Sequence, residues 1–214
     1  MTSSEPDDRG ARSTDENALT VQLDRARVLG FLGPGPIDEH LVHARGYLRT
    51  LDAVEGRIID LGSGGGIPGL VLALERPDLD VVLVDATAKR CRFLEQAVTA
   101  LALGERVEVV QGRAETLGRG ALRGAAGAVV ARSFGSPAST AECAAPLLRV
   151  GGLLVVSEPP EDAPGRWSPE GLAKLGMQAR EQLIRPRLQV VLQLAACPDE
   201  FPRRDGVPAK RPLF

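Results

Sequence analysis

A chain of 214 residues holds one α/β domain with a full core and is too short for two of ordinary size. A formal charge of -2 excludes a wholesale basic coat for nucleic acid, and only 3% aromatic residues leave few platforms for stacking bases. Cys91, Cys143 and Cys197 are scattered with no C-x-x-C pair, no apolar run approaches membrane-spanning length, and the N-terminus is polar and acidic rather than a signal peptide; a soluble, cytoplasmic, monomeric protein with reduced, buried thiols is expected.

Residues 1–20 are rich in Ser, Thr, Asp, Glu and Arg with almost nothing to bury, and are predicted as a disordered tail. The domain is placed at 21–200, beginning with a helical cover over 21–52. Leu23, Ala26, Val28, Leu29 and Leu32 line a first helix, broken by G-P-G-P at 33–36, and a second helix runs over 37–51. His40 and His43 lie one turn apart on it; an i,i+3 pair can share a metal, but no third ligand is apparent, so they are expected to line or pack near the site with no metal.

The stretch R-I-I-D-L at 57–61 is a short apolar strand, followed at once by Gly62, Gly64, Gly65 and Gly66. Those glycines allow positive φ and remove the Cβ atoms that would hold a ligand off the backbone. Pro68 suits the first turn of the helix that follows. Gly64 to Gly69 satisfies the dinucleotide fingerprint G-x-G-x-x-G, and an empty glycine turn is also open. The spacing D-x-G-x-G-x-G from Asp60 to Gly66 instead resembles motif I of S-adenosylmethionine methyltransferases, where the acid lies near the methionine ammonium. The only tyrosine, Tyr47, precedes the loop, so the Tyr-x-x-x-Lys of a short-chain dehydrogenase is lacking.

A second strand at 80–85 ends in Asp85, placed to accept both ribose hydroxyls of an adenosine cofactor. The helix over 88–103 starts with Lys89, Arg90 and Arg92 at the unfavourable end of its dipole, which suggests a charge-complementary use. Strands follow at 107–113, with Ala114 and Glu115 beyond, and at 125–131, with Arg132, Ser133 and Phe134 at the carboxyl edge where open sheets bind ligands. After a helix at 137–149 and a fifth strand at 151–157, the runs 178–184 and 188–195 form a hairpin across R-P-R. The order predicts a doubly wound, mostly parallel, seven-stranded α/β sheet with a final antiparallel pair, the class I methyltransferase (Rossmann-like) architecture.

Taken together, D-L-G-S-G-G-G-I-P-G, then L-V-D-A-T-A-K-R-C-R-F-L, G-R-A-E, A-R-S-F and the terminal F-P-R-R-D-G-V-P-A-K-R-P-L resemble the glucose-inhibited division protein B family. These are bacterial guanine-N7 methyltransferases of small-subunit ribosomal RNA. The resemblance covers roughly residue 37 to the end. It implies S-adenosylmethionine (SAM) as cofactor, held by Gly62 and Ile67 in the loop with Gly64 and Gly66, by Ala114 and Glu115 at the adenine, and by Arg132 beside cofactor and acceptor. Asp60 and Asp85 follow from the class as a whole.

The chain reads as a divergent member. G-P-G-P stands where the family opens with Trp-Asn and Asn-Leu-Thr, Ala86 follows Asp85 in place of serine, and Glu158-Pro159 replaces Lys-Gly. A paralogue with a small-molecule acceptor, or a SAM-binding protein without catalysis, therefore stays open. Guanine N7 has no proton to lose, so no catalytic base is expected; Arg132 and Phe134 are the candidates for base contact. Glu158 is expected to face incoming RNA, with a pairing to Arg132 as the alternative. Trp167 is expected as a cover over the core. In the segment 201–214, Arg203, Arg204, Lys210 and Arg211 are spaced among prolines that keep it extended and deny it a helix, suited to phosphates or to packing through Phe201 and Leu213.

Overall fold

The computed structural model describes residues 8–160 and 165–214, with side chains from residue 15 onward. Seven strands are β1 (Arg57–Leu61), β2 (Asp80–Asp85), β3 (Val107–Gln111), β4 (Ala126–Ala131), β5 (Leu148–Ser157), β6 (Met177–Ile184) and β7 (Arg187–Gln193). They form one sheet in the order β3-β2-β1-β4-β5-β7-β6. The first five pair in parallel, and β7 runs antiparallel to both β5 and β6. Asp60 is in register with Leu83 on one side and Val130 on the other, so the acidic ends of β1 and β2 and the Arg132 end of β4 open on one edge.

The central strands are apolar on both faces because helices cover both. One side carries α1 (Asp8–Val28), α2 (Ile37–Arg45) with a 3-10 turn at Gly46–Thr50, α3 (Gly69–Glu75) and α4 (Ala88–Ala100), packed on a cluster that includes Leu23, Leu41, Ile58 and Leu94. The other side carries α5 (Ala114–Gly118), α6 (Pro137–Ala144), α7 (Pro169–Ala173) and α8 (Val207–Lys210), with a second cluster around Leu61, Val129, Leu147 and Phe201. Trp167 is buried in that second cluster, the cover role expected of it.

Three sequence expectations are corrected here. The helix expected from residue 21 begins at Asp8, so the stretch read as disordered is helical over 8–19; residues 1–7 lie outside the described residues. Its mean composition is polar, but Leu19, Leu23 and Ala26, spaced four and three apart, form a buried stripe, and packing rather than propensity holds such a helix. Pro68 immediately precedes α3 instead of standing inside its first turn. The segment 201–214 is not wholly extended: Gly206 turns with φ +76°, and α8 places a proline in its opening turn, where a missing N–H costs no intrahelical bond.

Candidate active site

The glycine loop is built by β1 and received by α3. Gly62 has φ +77°, and a Cβ there would lie 2.7 Å from Cδ2 of Phe134, so only glycine lets the loop and the ring share this space. Gly65 is pressed against the chain that follows α1: a Cβ on it would lie 2.9 Å from the carbonyl oxygen of Phe31. Asp60 is buried beneath the loop, where its Oδ2 accepts the Gly69 N–H at 3.0 Å, and its Oδ1 has no partner. Burial pushes its carboxyl up to about 7, against the pull of the Gly69 N–H.

Asp85 is also buried, and it ties the loop to the next helix. Its Oδ2 accepts the Gly64 N–H at 3.1 Å and its Oδ1 the Thr87 N–H at 2.8 Å, with Arg90 at 3.6 Å. The charge-complementary use suspected for the basic start of α4 is thus, for Arg90, the end of β2. Lys89 and Arg90 also stand over the Phe31 ring, at 5.4 and 5.9 Å from its centre.

A cleft of about 380 Å³ opens along this edge. Its lining includes Leu61, Gly62, Asp85, Ala86, Ala114, Glu115, Phe134 and Ser139, and also Cys143, Pro208 and Ala209. The structure therefore brings together Gly62, Asp85, Ala114, Glu115 and Phe134 as the sequence suggested. Ile67 is buried in the first core cluster, Gly64 and Gly66 shape the loop with φ of +54° and +92°, and Arg132 stands outside the cleft lining. Glu115 serves the protein's own backbone: its Oε1 accepts the Gly206 N–H at 2.8 Å and Arg113 Nη2 at 3.0 Å. Burial raises its carboxyl, but these donors outweigh burial and leave it below the usual range.

On the α2 side of β1 and β4, Arg132 Nη2 donates to His40 Nδ1 at 2.7 Å, while His40 Nε2 lies 3.1 Å from the Gly33 carbonyl. With Nδ1 accepting from a guanidinium, Nε2 carries the proton and the imidazole is neutral. Burial, and then Arg132, lower the His40 pKa. The same two causes, with His40, drive His43 down to about 4. Arg132 Nη1 and His43 Nδ1 are buried and unpartnered. Tyr47, fully buried, donates its hydroxyl to the Ala131 carbonyl at 2.9 Å and so pins the residue before Arg132 to the helical cover. Among the described residues no group of three or more His, Cys, Asp or Glu stands together as a metal site.

Two expected placements are corrected. Glu158 faces neither an RNA channel nor Arg132; its side chain is 3% exposed, with Oε1 accepting the Trp167 indole N–H at 3.0 Å and Oε2 ion-paired with Arg166 at 3.0 Å. Arg203, expected on phosphates, lies on the fully buried Glu142, at 2.6 Å to Oε2 and 2.8 Å to Oε1. Arg204, Lys210 and Arg211 are exposed. Sequence reasoning missed Ser139, Pro208 and Ala209 as cleft residues. The Ser136-Pro137 pair, a helix N-cap and first turn, was the one local signal that α6 starts at this edge.

The cleft and the loop above Asp60 fit an adenosylated amino acid. A backbone cradle cleared by Gly62 suits close approach and Asp85 at the end of β2 suits hydroxyls, while Asp60, outside the cleft lining like Arg132, keeps beneath the loop a buried unpartnered carboxylate oxygen that suits an ammonium. The family model for GidB, rRNA small subunit methyltransferase G, matches residues 36–158. A Ribosomal RNA small subunit methyltransferase G of Symbiobacterium thermophilum is 39% identical over 190 residues, 82% of this chain and 77% of that protein. The protein of the same name from Rubrobacter xylanophilus is 37% identical over 207 residues, 88% of this chain and 78% of its own length. In three dimensions the chain is similar to a Methanococcus maripaludis protein described as a SAM-dependent methyltransferase, with TM-score 0.56, 16% identity and coverage of 91% and 96% of the two chains. On this sequence match, carried on a fold of that architecture, the chain belongs to the rRNA small subunit methyltransferase G family of SAM-dependent methyltransferases.

Proposed function

We propose that this protein transfers a methyl group from SAM to N7 of a guanine in small-subunit ribosomal RNA. The observation that carries it is the cleft at the carboxyl ends of β1 and β2, with Gly62 and Asp85 in its wall, in a chain of this family. The cofactor supplies a methyl group on a sulfonium, an electrophile that needs no metal. Asp60 orients the amino-acid end, Asp85 the ribose, and Ala114 with the backbone near Glu115 the adenine edge. The loop, including Gly64, Gly66 and Ile67, sets the depth. Guanine N7 presents an in-plane lone pair, so the protein's task is to hold the base in line and exclude water. Arg132 Nη1, an unpartnered donor, and the Phe134 ring in the cleft lining are the groups proposed to hold it.

The Glu158-Pro159 departure from the family pattern does not oppose this reading. That carboxylate is turned inward onto Trp167 and Arg166 and presents no charge to a polyanion. Exposed Arg204, Lys210 and Arg211 are the proposed phosphate contacts. The test offers labelled SAM with ribosomal subunits, naked ribosomal RNA and a metabolite extract, and maps the product by mass. Label in a single guanine of the small-subunit RNA is expected. Label only in the metabolite fraction would overturn the acceptor, and none anywhere would leave a binding protein.

A further inference from the structure

α6 is buried all round, including its polar residues Ser139, Thr140 and Glu142. A helix of this kind needs cover on its outer side, and the 201–214 segment supplies it. Glu142 receives the Arg203 backbone N–H at 2.9 Å along with Nε and Nη2 of the same residue. Three further attachments follow. Arg119 donates to the carbonyls of Pro202 and Arg203 at 3.1 and 2.8 Å and to Asp205 at 2.8 Å. Ser139 Oγ donates to the Pro208 carbonyl at 2.9 Å, and the Gly206 N–H holds Glu115.

The product of these bonds is a surface. Pro208 and Ala209 line the cleft together with Asp85, Ala86, Gly112, Ala114 and Glu115, and the Gly206 N–H two residues before Pro208 is bonded to Glu115. The wall formed by Pro208 and Ala209 lies outside residues 36–158, the part matched by the family model.

We infer that the 205–214 segment is part of the cofactor site, closing its adenine end, and that Arg119 and Glu142 act as positioning residues which set cofactor affinity through it. Neither side chain is in the cleft lining. The inference rests on the cleft being the SAM site. It separates two uses of one segment: the inner face, Pro208 and Ala209, meets the cofactor, while Arg204, Lys210 and Arg211 point outward.

The experiment measures S-adenosylhomocysteine and adenosine binding by calorimetry on three proteins: the full chain, a chain ending at Arg204, and Arg119→Ala. Thermal melts establish folding. The shortened chain keeps Arg203 on Glu142, and its affinity for both ligands is expected to fall by the same factor, on the order of tenfold. Arg119→Ala, which removes one attachment of the segment without altering the cleft lining, is expected to lose about threefold. If the shortened chain fails to fold, Arg119→Ala carries the test alone. Unchanged affinity in a folded variant overturns the inference while leaving the cofactor reading intact. A full chain that binds neither ligand overturns both. A loss for S-adenosylhomocysteine with none for adenosine would place the wall at the amino-acid end and overturn the assignment to adenine.

Discussion

At the end of the cleft walled by α5, α6 and the 201–214 segment, Glu115 accepts from Arg113 and Gly206, and Glu142 accepts three donors from Arg203. On the α2 side of β1 and β4, by contrast, Asp60 Oδ1, Arg132 Nη1 and His43 Nδ1 are buried with no partner. A bare buried polar atom costs on the order of 1–3 kcal/mol. The α6 side is thus largely satisfied by the protein's own groups, Thr140 Oγ1 excepted, whereas the α2 side, outside the cleft lining, would be stabilised by whatever brings the missing donors and acceptors.

The largest effect should come from breaking the α6 side. Arg203→Ala strands Glu142, fully buried, without its ion-pair partner, and is expected to cost about 3–5 kcal/mol in urea unfolding. Adding Glu142→Gln should recover part of that loss, because a neutral amide tolerates burial where a lone carboxylate does not. Additive losses in the double variant would mean that the two residues do not work as a pair.

A smaller effect, about 1 kcal/mol, is expected on the α2 side from Asp60→Asn, whose amide oxygen can still accept the Gly69 N–H. The sharper readout is pH. In the folded cofactor-free protein Asp60 keeps its proton up to about 7, whereas an unfolded carboxyl loses it near 3.8. Folding therefore takes up a proton between these values, so this group makes stability fall as pH rises from about 4 to about 7. Urea midpoints across that range should slope less in Asp60→Asn than in the native chain, and equal slopes would remove Asp60 as their source.

The smallest effect lies on the outer face. Replacing Lys210 and Arg211 together by alanine should lower the salt slope of RNA binding by roughly 1–2 while S-adenosylhomocysteine affinity stays put. A fall in both would show that the two faces of the segment are not separable.

The sheet order, the glycine loop and the acids at the ends of β1 and β2 were legible because each is written in a short contiguous pattern: an apolar run, a turn, a spacing. The attachments of the 201–214 segment were not. Arg203 meets Glu142 across 61 residues of sequence, and nothing in either neighbourhood announces the other. A basic, proline-rich stretch looks like a phosphate strap until a buried carboxylate claims one of its arginines. Glu158 misled for the same reason, since its partner Trp167 stands nine residues on and no local pattern pairs the two. The start of α1 was hidden differently: its polar majority outweighed a stripe of three apolar residues that becomes decisive only once packed.

Tyr47 couples events that the fold otherwise separates. Its hydroxyl bond, fully buried, joins the turn after α2 to the last residue of β4. A fluctuation that lifts the helical cover must break this bond or drag the strand end along with it. Amide protons of α2 should then exchange with solvent in the same slow, cooperative step as those of β4, rather than by local fraying. The cover then behaves as a fixed roof over the Arg132 end of β4, and opening it is an event of the whole sheet rather than of one helix.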